Sequence, residues 1–144
     1  MKHFILSVSL LLFGVGVACA VPARPISKER LPDAAQQFLQ EYFSSEQITS
    51  VHEYGPVARR VYEVMLGNAT HIEFAANGQW REVESGGALP AGIVPPSIES
   101  CAVKRYPSCV IRSIERGRRG WEVGLSNGVE LTFDKGLRLI EVDD

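Results

Sequence analysis

Residues 60–84 read RVYEVMLGNATHIEFAANGQWREVE, and this stretch decides the fold. Over Arg60–Leu66 the apolar Tyr62, Val64 and Leu66 alternate with Glu63, the two-residue period of a strand with one buried and one wet face. Gly67-Asn68 marks a tight turn, after which His71-Ile72-Glu73-Phe74 alternates again. Asn77-Gly78 then turns the chain into a strand over Gln79–Glu84, and Ser85-Gly86-Gly87 closes the unit. Strands joined by turns this short pair with their sequence neighbours, so the stretch predicts an antiparallel meander.

Upstream the period changes. From Pro32, the residues Ala35, Phe38, Leu39, Tyr42 and Phe43 recur at spacings of three and four, with Gln36, Gln37, Gln40 and Glu41 between them. This is an amphipathic helix, opened by a proline tolerated in its first turn and by Asp33 at the positive end of its dipole. It stops at Ser44-Ser45, and Ile48–Glu53 begins the strands.

Downstream the same order returns. Pro95-Pro96 open a helix carrying Ile98, Cys101, Ala102 and Tyr106; strands follow over Cys109–Glu115, Trp121–Leu125, Glu130–Phe133 and Arg138–Val142. A shift of 59 residues lays Glu63-Val64 on Glu122-Val123, Leu66 on Leu125, Asn68 on Asn127, Phe74 on Phe133 and Glu82-Val83 on Glu141-Val142 without a gap. A shift of 63 lays Pro32, Phe43, Ile48 and Val51 on Pro95, Tyr106, Ile111 and Ile114. Agreement in both helix and strands predicts a duplication. The expected fold is α+β: a tandem repeat of a helix plus a four-stranded antiparallel meander, with the helices on one face of the sheet. Residues 31–87 form the first copy and 88–144 the second, after a linker over 21–30.

These residues resemble a family, the bacterial exported proteins with a beta-lactamase-inhibitor-like, PepSY-like domain. Leu31-Pro32 opening a helix that ends in Tyr42-Phe43, then Tyr62-Glu63-Val64 with Leu66 and Asn68, Ile72-Glu73-Phe74, Gly78-Gln79-Trp80 and Glu82-Val83 carry the resemblance. Leu89-Pro90 through Trp121-Glu122-Val123, Asn127-Gly128 and Phe133 follow the same scheme. Ala69 departs from it where a glycine would suit the hairpin, as does Leu139 at the position that Trp80 holds in the first copy. The resemblance implies a periplasmic or secreted location and a sheet covered by helices on one side and open for protein contact on the other. It implies no catalysis.

The start of the chain agrees. Lys2 and His3, the apolar run Phe4–Val17 and Ala18-Cys19-Ala20 read as a signal peptide over 1–20, whose removal leaves 124 of the 144 residues. The run is too short to span a bilayer. Lipid attachment at Cys19 is the alternative, against which Gly16 stands where a leucine-like residue is usual. Without Lys2, 14 basic residues face 17 acidic ones with no long run of either sign, which excludes a nucleic-acid partner.

The candidate contacts lie on the polar strand faces. His71 and Glu73 point away from Ile72 and Phe74, with Glu63 beside them; Glu122, Glu130 and Thr132 match them in the second copy. Trp80 and Val83 have opposite parity. If Val83 is inside, Trp80 is an exposed aromatic of the kind that anchors interfaces, whereas a bulge would return it to the core. The basic turn Arg116–Arg119, with Arg59-Arg60 at the corresponding place, reads as a solubilising turn. Cys101 and Cys109 are expected either as a disulfide or as two independent thiols. His52 and His71 stand in no zinc-binding spacing, so no metal and no cofactor are expected. The reading is a non-catalytic binding module that grips an envelope protein or peptide through its open sheet face. Its alternative is a small hydrolase or small-ligand-binding protein with a pocket between the repeats.

Overall fold

One row of apolar residues organises the molecule. In the computed structural model, which describes residues 22–144, Val51, Val64, Ile72, Val83, Ile114, Val123, Leu131 and Val142 are successive cross-strand partners on one face of a sheet. All are buried except Val142, which is 38% exposed at the far edge. The strands are β1 (Arg24–Pro25), β2 (Ile48–Tyr54), β3 (Val61–Leu66), β4 (His71–Phe74), β5 (Trp80–Glu84), β6 (Ile111–Arg116), β7 (Gly120–Leu125), β8 (Glu130–Asp134) and β9 (Leu139–Asp143). They form a nine-stranded antiparallel sheet in sequence order, the count holding for the described residues. The pairing of β5 with β6, Val83 opposite Ile114, makes it one continuous layer.

Two helices, among the described residues, cover the apolar face. Helix α1 (Asp33–Phe43) buries Ala35, Phe38, Leu39 and Phe43, and α2 (Pro96–Arg105) buries Ile98 and Ala102. These residues belong to the same hydrophobic cluster as the strand row, so the helices and the row share one core. The Phe38 ring meets Phe74 edge-on at 5.7 Å between centroids. Each fully buried side chain of this size contributes about 1.5–3 kcal/mol through removal of apolar surface from water, and the core as a whole holds the helices down.

Four bulges set the phase of the strands. Thr49 is an extra residue between the pairs Ile48–Leu66 and Ser50–Met65, as is Arg112 between Ile111–Leu125 and Ser113–Gly124. Arg81 is extra between Glu73–Glu82 and Phe74–Trp80, as is Ile140 between Thr132–Glu141 and Phe133–Leu139. The third of these resolves the parity of Trp80. The bulge lets Val83 and Trp80 both face the helices, so Trp80 packs on the core, 6.1 Å from Phe38, and not on the open face.

The segment expected as a linker is part of the fold. Arg24 and Pro25 pair with Glu53 and His52, and residues Lys28–Arg30 form a 3-10 turn. Arg24 reaches Glu53, which is 3% exposed, through Nε at 2.9 Å and through Nη2, while Arg60 Nη1 lies 3.4 Å from the other oxygen. A carboxylate that far from water needs charged partners, and the N-terminal strand supplies one. Arg60 therefore has a structural partner in place of the solubilising role expected of the turn. The signal peptide reading, over residues 1–20, lies outside the described residues. No helix among the described residues is long and apolar enough to cross a membrane.

Candidate functional site

The side of the sheet away from the helices is a field of carboxylates. Because Val64, Val83, Val123 and Val142 point inward, each glutamate preceding one of them points outward. The antiparallel register lines these up: His52, Glu63, Glu73, Glu82, Glu115, Glu122, Thr132 and Glu141 are successive partners across eight strands. Adjacent strands lie about 4.8 Å apart, so the five glutamates from Glu63 to Glu122 are near neighbours, with Glu141 one strand further on beyond Thr132. A second row holds Met65, His71, Glu84, Ser113, Gly124, Glu130 and Asp143. Like charges directly opposite one another on a sheet are unfavourable, and the two ends of the face deal with them differently.

On β3 and β4 the acids have partners. His71 Nε2 lies 3.4 Å from Glu63 Oε1, and the Tyr54 hydroxyl donates to Glu63 Oε2 at 3.0 Å. The hydrogen bond from His71 holds the Glu63 carboxyl below its ordinary value. Burial alone would lower His71, but the bond to Glu63 and the surrounding acids outweigh it and raise the imidazole. Burial, and then its own hydrogen bond to Glu63, lift the Tyr54 phenol to about 12. Arg81 Nη1 lies 3.5 Å from Glu73, whose carboxyl is nevertheless raised by burial.

On β6 to β8 no ion pair among the described residues reaches Glu115, Glu122 or Glu130. Burial and then neighbouring carboxylates raise all three, and Glu122 is pushed up to about 7 by burial and by Glu130, Glu115, Glu141 and Glu82. The sheet is hollow here. Ser113 and Gly124 face each other in the second row, and small side chains at both positions leave a cavity of about 300 Å³ with Glu82, Glu84, Glu115, Glu122 and Glu130 around it. A side chain at Gly124 would place its Cβ 2.5 Å from Ser113 Oγ, so the serine leaves room for glycine alone at that position.

The fold has known counterparts. Residues 60–141 match the family described as "Putative beta-lactamase-inhibitor-like, PepSY-like". The chain belongs to this PepSY-like family. A "putative calcium-regulated periplasmic protein" of Bacteroides thetaiotaomicron is 32% identical, with a TM-score of 0.80 over 85% of this chain and 97% of that one. A "putative periplasmic protein" of Bacteroides vulgatus is 31% identical, with a TM-score of 0.79 over 85% and 97%. Another from B. vulgatus, "of unknown function", is 25% identical, with a TM-score of 0.79 over 85% and 100%. No curated protein matches the chain. The PepSY-like chain is thus an exported protein, periplasmic or secreted.

Of the residues singled out in the sequence, Glu63, His71 and Glu73 lie together on the open face, and Glu122 and Glu130 lie on its hollow half. Trp80 lies on the covered face. Cys101 and Cys109 are carried as free thiols, both packed at the margin of the core, with the Cys109 N–H committed to the Tyr106 carbonyl in the turn after α2. Sequence reasoning missed Glu82, Glu84 and Glu115. The repeated Glu-Val dipeptides carried part of the signal, since each places an acid opposite a core valine.

Proposed function

We propose that this PepSY-like protein is a non-catalytic exported binding module that seats a cationic side chain, a lysine or arginine of a protein or peptide partner, in the carboxylate cup of its open sheet face. One observation carries the reading: five carboxylates surround a floor of Ser113 and Gly124, and against them stand only Arg112 on the lining and Arg81 acting on Glu115 from a distance, with no ion pair to Glu115, Glu122 or Glu130 among the described residues. A cationic group entering the cup would relieve the repulsion that raises Glu122. The volume lies at the lower end of the range for ligand sites, room for one side chain more than for a large ligand. We read the chain as a tandem duplication of a helix and four strands, with repeats over 31–87 and 88–144. The paired bulges at Thr49 and Arg112 and at Arg81 and Ile140 support this.

Titration of the purified protein with a short lysine- and arginine-containing peptide tests the proposal. Binding should weaken with added salt and fall about tenfold or more in a Glu115→Gln, Glu122→Gln double variant, as expected for a charge-assisted contact of at least about 1.4 kcal/mol. Equal binding by wild type and variant would overturn it. The calcium in the description of the B. thetaiotaomicron protein favours a second occupant, a divalent cation held by the same carboxylates. Saturable Ca²⁺ binding that depends on Glu115 and Glu122, with no peptide bound, would put the ion itself in the cup.

A further inference from the structure

A different group of donors lies at the edge of the cup, on β4 and β5. His71 and Glu84 are direct cross-strand partners, and Glu82 is two residues before Glu84 on the same face of the same strand. This register brings an imidazole nitrogen of His71 and one oxygen each from Glu82 and Glu84 within 4.8 Å of one another. Donors around a tetrahedral ion with bonds of about 2.0–2.1 Å stand about 3.3 Å apart, so small side-chain rotations close the set.

The surroundings suit a ligating histidine. Nε2 lies 3.4 Å from Glu63 Oε1, which leaves Nδ1 to ligate an ion, and Glu63 is itself fixed by the Tyr54 hydroxyl at 3.0 Å. A carboxylate on the second ring nitrogen is the usual support of a metal-bound imidazole, fixing its tautomer and orientation. The His71 side chain is 12% exposed and Glu82 is buried, so the base of the group is shielded. Glu84 is exposed and leaves a path in from solvent.

We infer that His71, Glu82 and Glu84 form a binding site for a borderline divalent cation of the Zn²⁺ class, with the fourth position open to water or to a partner's side chain. One nitrogen and two carboxylate oxygens form a mixed set that imidazole tilts toward Zn²⁺ and away from Ca²⁺ or Mg²⁺, which take oxygen donors. The site shares Glu82 and Glu84 with the cup but adds His71 on β4 and does not need Glu115 or Glu122, so variants at those two positions separate it from the cup's partner.

The experiment is calorimetric titration of the purified protein with Zn²⁺ and, separately, Ca²⁺, repeated for His71→Gln, Glu84→Gln and the Cys101→Ser, Cys109→Ser double variant. One Zn²⁺ per chain is expected, with at least tenfold loss in each of the first two variants and none in the cysteine variant. In nitrogen-detected NMR, Zn²⁺ should shift the His71 ring resonances and leave those of His52 in place, a signature that a misfolded variant cannot imitate. Absence of saturable Zn²⁺ binding, binding lost with the cysteines, or Ca²⁺ held as tightly as Zn²⁺ would each overturn the inference. Because exposed Glu84 can be changed without disturbing the core, its variant decides the matter if His71→Gln fails to fold.

Discussion

Arg116 lies flat on Trp80: its guanidinium carbon is 3.9 Å from the ring centroid, and its Nε and Nη2 donate to the Trp80 carbonyl oxygen at 3.0 and 2.6 Å. Trp121, the cross-strand partner of Arg116, stands beside both, 5.7 Å from the guanidinium and 6.0 Å from the Trp80 ring. Trp80 begins β5 and Arg116 ends β6, so this contact clamps the seam where the two four-stranded stretches of the sheet meet.

Arg116→Ala should therefore destabilise the protein by about 2 kcal/mol, the sum expected for a stacked cation and hydrogen bonds to a carbonyl. Arg116→Lys should recover little of this, because an ammonium cannot stack and donate in a fork at once. Urea unfolding followed by tryptophan fluorescence reads both effects. An unchanged midpoint in Arg116→Ala would return the residue to the solubilising role read from the sequence.

Gly78 and Gly128 turn equivalent-looking corners but bear different loads. Both have positive φ, +84° and +88°, so a side chain at either is strained. At Gly78 a Cβ would also lie 2.8 Å from Pro32 Cβ and 3.1 Å from Ala34 Cβ, where α1 starts, while nothing stands within 4 Å at Gly128. Gly128→Ala should cost about 1–2 kcal/mol from backbone strain alone. Gly78→Ala should cost about 2–4 kcal/mol, because it also pushes on α1. Equal losses in denaturant midpoint would show that the turn at Gly78 does not fix the helix.

The alternation of Tyr62, Val64 and Leu66 against Glu63 made the strand faces legible, since period and burial are both local properties of the chain. The helix stripe through Ala35, Phe38, Leu39 and Phe43 was legible for the same reason. The register of β5 on β6 was not, because Glu82 and Glu115 are 33 residues apart and nothing near either names the other. The cup depends on that pairing and on the smallness of Ser113 and Gly124, which is why the sequence disclosed its acids singly and never the hollow between them. The phase of β5 was hidden by Arg81, whose bulge decides where Trp80 points.

Glu122 makes the stability of this protein depend on pH in a direction that can be worked out. Its folded value of about 7 lies above the ordinary 4.5, chiefly through burial and then through Glu130 and Glu115, so the folded state binds the proton more tightly than the unfolded chain. A carboxyl raised in this way contributes stability that is fully present below about pH 4.5 and is lost as pH rises through about 7. Glu73, Glu115 and Glu130, raised as well, act in the same direction, whereas Glu63, Glu53 and Asp134, which are lowered, act in the other. Comparing wild type with Glu122→Gln cancels most of these, because both proteins carry them. The variant should match wild type within error near pH 4 and exceed it by about 1–2 kcal/mol at pH 8, once solvent screening of a half-buried group is allowed for. Thermal or urea unfolding at pH 4, 6 and 8 measures the difference. A gap that stays constant with pH would mean that Glu122 ionises in the folded protein as it does in the unfolded chain, and the cup would then lack the crowded charge that its carboxylates imply.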